Sequence, residues 1–180
     1  TSYNGSASNR IIRLNSDGTV DTAFNVGSGF NNVVFSLSPA TDGSGDVYVG
    51  GFFTNYNGSA SNRIIRLNSD GTVDTAFNVG SGFNDTVDSL SPATDGSGDV
   101  YLGGDFTTYS GSASNRIIRL NSDGTVDTAF SVGSGFDSAV RSISPATDGS
   151  GDVFVGGDFS VYQTTIVDRI VRLNPDGSLN

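Results

Sequence analysis

The chain has 180 residues and a formal net charge of −10, and it contains no Cys, His, Met or Trp. All of its cationic side chains are Arg and all of its anionic ones are Asp, so most of the usual general bases and nucleophiles are missing, which argues against an enzyme. Such an acidic chain also lacks the positive charge that binds nucleic acids, and it has no apolar run long enough for membrane insertion.

One segment, GSASNRIIRLNSDGTVDTAF, is repeated without change every 53 residues. Its copies are Gly5–Phe24, Gly58–Phe77 and Gly111–Phe130, and a looser copy runs from Asp168 to Gly177. A fixed period near 50 residues is typical of repeat proteins, in which each unit buries its apolar face against its neighbours.

The repeats divide the chain into one array. Its parts are a partial repeat 1–30, two full repeats 31–83 and 84–136, and a truncated last repeat 137–180. Terminal repeats usually diverge as caps, but the first copy is unchanged and the chain begins at Thr1. We therefore expect a processed chain or a slice of a longer array.

Alternation of apolar residues and turn signals predicts about four short antiparallel strands per repeat. In the repeat 31–83 they are Val33–Ser38, Asp46–Thr54, Arg63–Asn68 and Thr72–Phe77, with polar loops at Ala40–Gly45 and Asn55–Ser61. Four strands in a unit of this length indicate an all-β, β-propeller-like array. Because about 3.4 such units fit in the chain and propellers close with 4–8 blades, we expect an incomplete ring.

Comparison of the repeats with one another predicts which side chains are buried. Positions that stay apolar form the expected core: Val34, Val87 and Val140; Leu37, Leu90 and Ile143; Phe53, Phe106 and Phe159; and Ile11, Ile12, Leu14, Val20 and Phe24 with their equivalents. Positions that change character are expected to be exposed: Phe35, Asp88 and Arg141, and Phe52, Asp105 and Asp158. Arg10 and Arg13, on opposite faces of a strand, are expected to pair with Asp of a neighbouring strand or blade.

The repeat 31–83 carries a set of short motifs: Val49-Gly50-Gly51, Tyr56-Asn57-Gly58, Arg66-Leu67-Asn68, Asp70-Gly71 and Asp74 with Phe77. In these motifs the repeat resembles a known family, the delta-60 repeat of bacterial β-propellers. The turn at Ala40–Asp46 is longer than the Pro-Asp-Gly turn of that family. The resemblance implies a propeller-like fold in large, often secreted or surface-associated bacterial proteins, without catalytic activity.

Two loops of each repeat carry oxygen-bearing residues in an order that resembles calcium loops. The first candidate set is Asp42, Ser44 and Asp46, with Asp95, Ser97 and Asp99, and Asp148, Ser150 and Asp152. The second is Asn15, Asp17 and Asp21, with Asn68, Asp70 and Asp74, and Asn121, Asp123 and Asp127. Neither loop supplies the bidentate Glu of an EF-hand, so the alternative is that Asp-Gly only forms a turn.

Three Asn residues lie in sequons for N-glycosylation: Asn4, Asn57 and Asn84. Such triplets also arise by chance in a chain rich in Asn, Ser and Thr.

The sequence thus predicts a non-catalytic scaffold at the bacterial cell surface or outside the cell. The absence of Lys and of easily oxidised side chains suits that location. We expect the chain to be its own partner, in a head-to-tail oligomer or fibre, with no required cofactor. The alternative is a calcium-dependent, carbohydrate-binding module of the adhesin type.

Overall fold

The computed structural model describes residues 2–180, and every regular element in that range is a β-strand. In chain order the strands are β1 (Ser2–Tyr3), β2 (Ser6–Ala7), β3 (Val34–Pro39), β4 (Val47–Gly51), β5 (Asn55–Tyr56), β6 (Ser59–Ala60), β7 (Ile64–Leu67), β8 (Val87–Pro92), β9 (Val100–Gly104), β10 (Thr108–Tyr109), β11 (Ser112–Ala113), β12 (Ile117–Leu120), β13 (Val140–Pro145), β14 (Val153–Gly157), β15 (Val161–Tyr162), β16 (Thr165–Ile166) and β17 (Ile170–Leu173). Over this range no helix is long and apolar enough to cross a membrane.

Three antiparallel sheets follow one another along the chain. The first sheet has the order β3-β4-β7, the second β8-β9-β12 and the third β13-β14-β17. In the first sheet Val49 of the central strand lies opposite Leu37 on one side and Ile65 on the other. Short hairpins, β1-β2, β5-β6, β10-β11 and β15-β16, occupy the connections that the sequence predicts to be polar loops. These features confirm the all-β repeat array.

The first three strands predicted for the repeat 31–83 are confirmed, with shifted ends. They are observed at Val34–Pro39, Val47–Gly51 and Ile64–Leu67. Pro39 is the last residue of β3 rather than a residue beyond it, because β3 is at the edge of its sheet and a missing N–H there breaks no ladder.

The predicted fourth strand, Thr72–Phe77, is wrong. Only Val73 forms a bridge, to Leu67 of β7. Directly afterwards the Asp74 carboxylate accepts a hydrogen bond of 2.9 Å from the Ala76 N–H, and this local turn competes with a continued ladder. The chain therefore leaves the sheet after one bridge.

Successive sheets contact each other through their first and second strands. β3 contacts β8 and β8 contacts β13, and the central strands β4 and β9 each contact the first strand of the next sheet. The arrangement agrees with propeller blades around an axis, and the three sheets do not close into a ring within residues 2–180.

Each apolar cluster of the core is shared by two adjacent repeats. Phe53, Phe106 and Phe159 are fully buried, as predicted. Leu37 is not part of the core, contrary to the prediction, because no sheet formed by residues 2–180 packs on that face of the first sheet. Its exposed fraction is 52%, against 6% for Leu90 and 7% for Ile143.

Five further core assignments are wrong. The exposed residues are Leu14, Val73, Val126, Ile170 and Leu179. Val73 and Val126 lie on the single bridge that replaces the predicted fourth strand, and Leu14 belongs to a segment that has no sheet beside it in the described residues.

Candidate functional site: arginine–carboxylate clusters and terminal faces

The Asp42-Gly-Ser-Gly-Asp46 loop connects β3 to β4 and is held by its own hydrogen bonds. The Asp42 carboxylate accepts a bond of 3.0 Å from the Ser44 N–H, and the Ser44 hydroxyl accepts one of 3.1 Å from the Asp46 N–H. Part of the oxygen-donor capacity of this predicted calcium loop is therefore used by the local turn.

The remaining oxygens of this loop converge on Arg66, which is buried. Its Nη2 lies 2.9 Å from Asp46 Oδ2, its Nε lies 3.2 Å from Asp74 Oδ2, and Nη2 also pairs with Asp42. The guanidinium is further bonded to the Ser44 hydroxyl at 3.1 Å. One buried cation thus joins the two predicted metal loops of the repeat.

The same cluster recurs along the chain. Arg119 pairs with Asp95, Asp99 and Asp127, and Arg172 pairs with Asp148 and Asp152. In the last cluster Asn180, whose Nδ2 lies 3.0 Å from Asp152, takes the place of Asp74. Arg13 pairs with Asp21 at 2.7 Å. The predicted pairing of Arg13 and its copies with Asp is confirmed, and for Arg66 and Arg119 it is buried.

Hydrogen bonds from Ser44 lower the pKa of Asp42 to about 2, and the Arg66 guanidinium adds to the effect. For Asp95 burial alone would raise the pKa, but Ser97 and Arg119 outweigh it and lower the pKa to about 2. A carboxyl group with so low a pKa is ionised at neutral pH and is a poor general acid there.

Within residues 2–180 no group of three or more acidic side chains is arranged to hold a metal ion. At the Asp42 loop the guanidinium of Arg66 stands where the carboxylates converge. A Ca²⁺ ion needs six to eight oxygen ligands, so binding there would require Arg66 to move. Calcium at this loop stays a prediction.

The second predicted loop, at Asn15, Asp17 and Asp21, is an Asx turn beside an ion pair. Asp17 accepts a bond of 2.9 Å from the Thr19 N–H, and Asn15 donates to the Thr19 hydroxyl at 2.9 Å. The equivalent contacts occur at Asn68 and Asp70, and at Asn121 and Asp123.

The three sequons differ in what their Asn side chains do. Asn4 is exposed. Asn57 accepts a bond of 3.1 Å from the Ser28 N–H. The Asn84 amide donates to the Thr107 hydroxyl at 2.9 Å and accepts the Thr107 N–H, so a glycan at Asn84 would compete with the bonds that tie the start of its repeat to the residue directly before β10. Glycosylation at these sites stays a prediction.

The positions that vary between repeats form a row at one end of the sheets. Arg141 bonds to Asp158 at 2.9 Å and to Asp105 at 2.9 Å, and it also pairs with Asp88. Phe35 and Phe52, at the same positions of the first sheet, are exposed as predicted. Asp88 and Asp105 are only partly exposed, contrary to the prediction, because Arg141 pairs with both.

Each of the two full repeats has a shallow cleft at the same place. A cleft of about 390 Å³ beside β7 is lined by Asp74 and Phe77, and its equivalent of about 330 Å³ beside β12 by Asp127 and Phe130. The carboxylate in each is paired with an arginine.

Glycine in each central strand makes room for the next sheet. A Cβ atom on Gly50 would stand 2.7 Å from Val87 Cγ1 and 3.0 Å from Leu90 Cδ2, and one on Gly103 would stand 2.3 Å from Val140 Cγ1. For Gly156 of the third sheet the nearest such atom is the Arg169 carbonyl oxygen at 3.8 Å. The third sheet thus presents an unfilled copy of the surface that receives Val87 and Leu90.

We call this surface the back face and define it by Phe154 and Gly156 of β14. The front face is the opposite half of the same contact, Val34 and Leu37 of the first sheet. Sequence comparison missed both faces, because it shows only that these positions stay apolar or Gly. The signal that points to them is the contrast in burial between equivalent residues.

Comparison with known proteins agrees with this architecture. A family model described as "Domain of unknown function (DUF5122) beta-propeller" matches residues 1–24, 42–77, 95–130 and 148–180. The match confirms the resemblance to propeller repeats of the delta-60 type. No curated protein matches the chain.

Proposed function

The chain belongs to the DUF5122 beta-propeller family, and on that premise we propose that it is a non-catalytic, extracellular structural scaffold that assembles head to tail. The front face of one copy packs on the back face of the next, and repetition of this contact gives a fibre or a ring.

The single observation that carries the proposal is the repeated contact between sheets. Leu90 and Ile143 are buried by the sheet that precedes each of them, whereas Leu37 is exposed. The surface that would cover Leu37 is present, unfilled, around Gly156. Two exposed halves of one contact on opposite ends of a chain favour a heterologous association.

The non-catalytic part of the proposal is supported by the state of the carboxylates. The carboxylates of Asp74 and Asp127 in the clefts, and those of the Asp42, Asp95 and Asp148 loops, are paired with Arg66, Arg119 or Arg172. The chain has no His, Cys, Lys or Glu to act beside them.

Light scattering on the 180-residue chain tests the proposal. The average mass should rise above 18.5 kDa as the protein concentration increases. The variant Leu37→Ser should stay at the mass of one chain, because it removes an apolar contact of the front face. The control Val126→Ser changes a residue that is also exposed but lies on neither face, and it should assemble like the wild type. A folded wild-type chain that stays monomeric at micromolar concentration would overturn the proposal.

A further inference from the structure

We propose that the joint between two copies forms by strand exchange, in which residues 2–24 of one copy replace residues 161–180 on the third sheet of the preceding copy. This inference rests on the proposed head-to-tail assembly and names the segments that make the joint.

The two segments are copies of the same structural unit. Residues Leu14 and Val20 form an isolated bridge, as do Leu173 and Leu179. The Asp21 N–H donates to the Arg13 carbonyl at 2.9 Å, and the equivalent bond at the other end, from Asn180 to Arg172, is 3.0 Å. The same bridge and bond occur in both full repeats, where this unit continues the third strand.

The N-terminal unit is attached to the first sheet as the internal units are attached to the sheet that follows them. The Asn25 N–H donates to the Asp70 carbonyl at 2.8 Å, and the Asn78 N–H donates to the Asp123 carbonyl at 2.8 Å. The first sheet therefore carries its own copy of the preceding repeat's outer unit.

This attachment creates a steric conflict in any simple joint. If the first sheet of one copy packs on the third sheet of another as the sheets pack internally, residues 2–24 come to lie where residues 161–180 already lie. Two chains cannot fill one position, so one of the two segments must leave. Exchange of the segments follows from the geometry of the repeat.

Burial shows that the N-terminal and the C-terminal unit are each covered on one side only. In the first full repeat both Ile64 and Ile65 are buried, one against the following sheet and the other within its own repeat. In the N-terminal unit the exposed fraction of Ile11 is 6%, and its neighbour Ile12 is only partly buried. In the C-terminal unit the exposed fraction of Ile170 is 66%. Each unit thus lacks one of its two coverings.

Placed on β14, residues 2–24 would be covered on both sides, since they bring the first sheet with them. Arg13 would reach Asp148 and Asp152 while keeping Asp21, which completes the set of three carboxylates seen around Arg66. Phe24 would face Phe154 as Phe77 faces Tyr48, whose ring centroids are 5.2 Å apart. The unit at 161–180 offers Asn180 in place of the third carboxylate. These contacts favour the incoming segment.

Disulfide locking tests the exchange, because the chain has no Cys of its own. Val155 of β14 lies directly opposite Val171 of β17, a spacing that suits a disulfide. In the variant Val155→Cys/Val171→Cys, oxidation should hold β17 in place and reduce the assembled fraction at least tenfold, and reductant should restore it. The matched control is Val49→Cys/Ile65→Cys, the equivalent pair of the first sheet, whose oxidation should leave assembly unchanged.

A second variant detects the exchanged state directly. Ile12 holds the position of Val171 in the N-terminal unit, so the variant Ile12→Cys/Val155→Cys should form disulfides between copies and give a ladder of covalent oligomers. Assembly that persists in the oxidised lock, with no ladder from this variant, would overturn strand exchange while leaving the head-to-tail scaffold intact. The absence of assembly in the wild type would instead overturn the scaffold itself, and the exchange with it.

Discussion

Val87 Cγ1 lies 2.7 Å from the point at which a Cβ atom on Gly50 would stand. The first sheet and the second sheet approach so closely here that only Gly fits. The same relationship joins Gly103 to Val140, at 2.3 Å.

The first prediction follows from this close approach. Gly103→Ala should lower the free energy of unfolding by about 1–3 kcal/mol, because the added methyl group overpacks the contact between sheets. Gly156→Ala is the matched control, and in the monomer it should change that free energy by less than about 0.5 kcal/mol. Urea unfolding at low protein concentration measures both variants. Equal effects would mean that the third sheet is covered on its back face.

The buried Arg66 should contribute much more to the free energy of unfolding than the exposed Arg141. Arg66→Met leaves Asp42, Asp46 and Asp74 without their counterion, and loss of one partner from a buried pair costs about 3–5 kcal/mol. Arg141→Met removes an exposed bridge and should cost about 1 kcal/mol or less. Thermal unfolding compares the two, and a larger loss for Arg141→Met would contradict the assignment of the clusters.

The low pKa of Asp42 predicts a stabilisation of the fold that acid removes. Its ionised form is stabilised in the folded chain, so its contribution is fully present above the ordinary Asp pKa of 3.8 and is lost as the pH falls toward about 2. Unfolding of the wild type and of Asp42→Asn should be followed from pH 7 to pH 2. The difference between the two should be constant above about pH 5 and should shrink below the ordinary Asp pKa. A difference that grows as the pH falls would have the wrong sign.

Calcium is predicted to be dispensable. Because the guanidinium groups of Arg66 and Arg119 already occupy the positions at which the carboxylates of the Asp42 and Asp95 loops converge, melting in Ca²⁺ and in excess EGTA should give the same transition. A rise in the melting temperature with Ca²⁺ would favour the calcium-dependent, carbohydrate-binding alternative, and loss of glycan binding on chelation would establish it.

Much of the fold could be predicted from the sequence, because the three internal copies act as an alignment. The burial of Phe53, Phe106 and Phe159 follows from their persistence beside positions that change to Asp. The prediction of a fourth strand was wrong because residues Thr72–Phe77 alternate as in a strand, whereas the hydrogen bond from the Ala76 N–H to the Asp74 carboxylate turns the chain away from the sheet.

The sites were harder to predict. An Asp-x-Ser-x-Asp pattern is the same whether its oxygens meet a metal ion or a guanidinium, and Arg66 lies 20 residues beyond Asp46 in the sequence. Leu37 and Leu90 also occupy equivalent positions of two repeats, so the sequence alone does not distinguish their burial. Only the neighbouring sheet, present for Leu90 and missing for Leu37, separates a core residue from a surface.

A mixture of two blocked variants tests the head-to-tail joint most directly. Leu37→Ser disables the front face and leaves the back face intact, whereas Gly156→Val fills the back face and leaves the front face intact. Light scattering should find each variant alone at the 18.5 kDa of one chain and an equimolar mixture at twice that mass, because one functional joint forms per pair. A mixture that stays at the mass of one chain, or either variant assembling by itself, would contradict the joint.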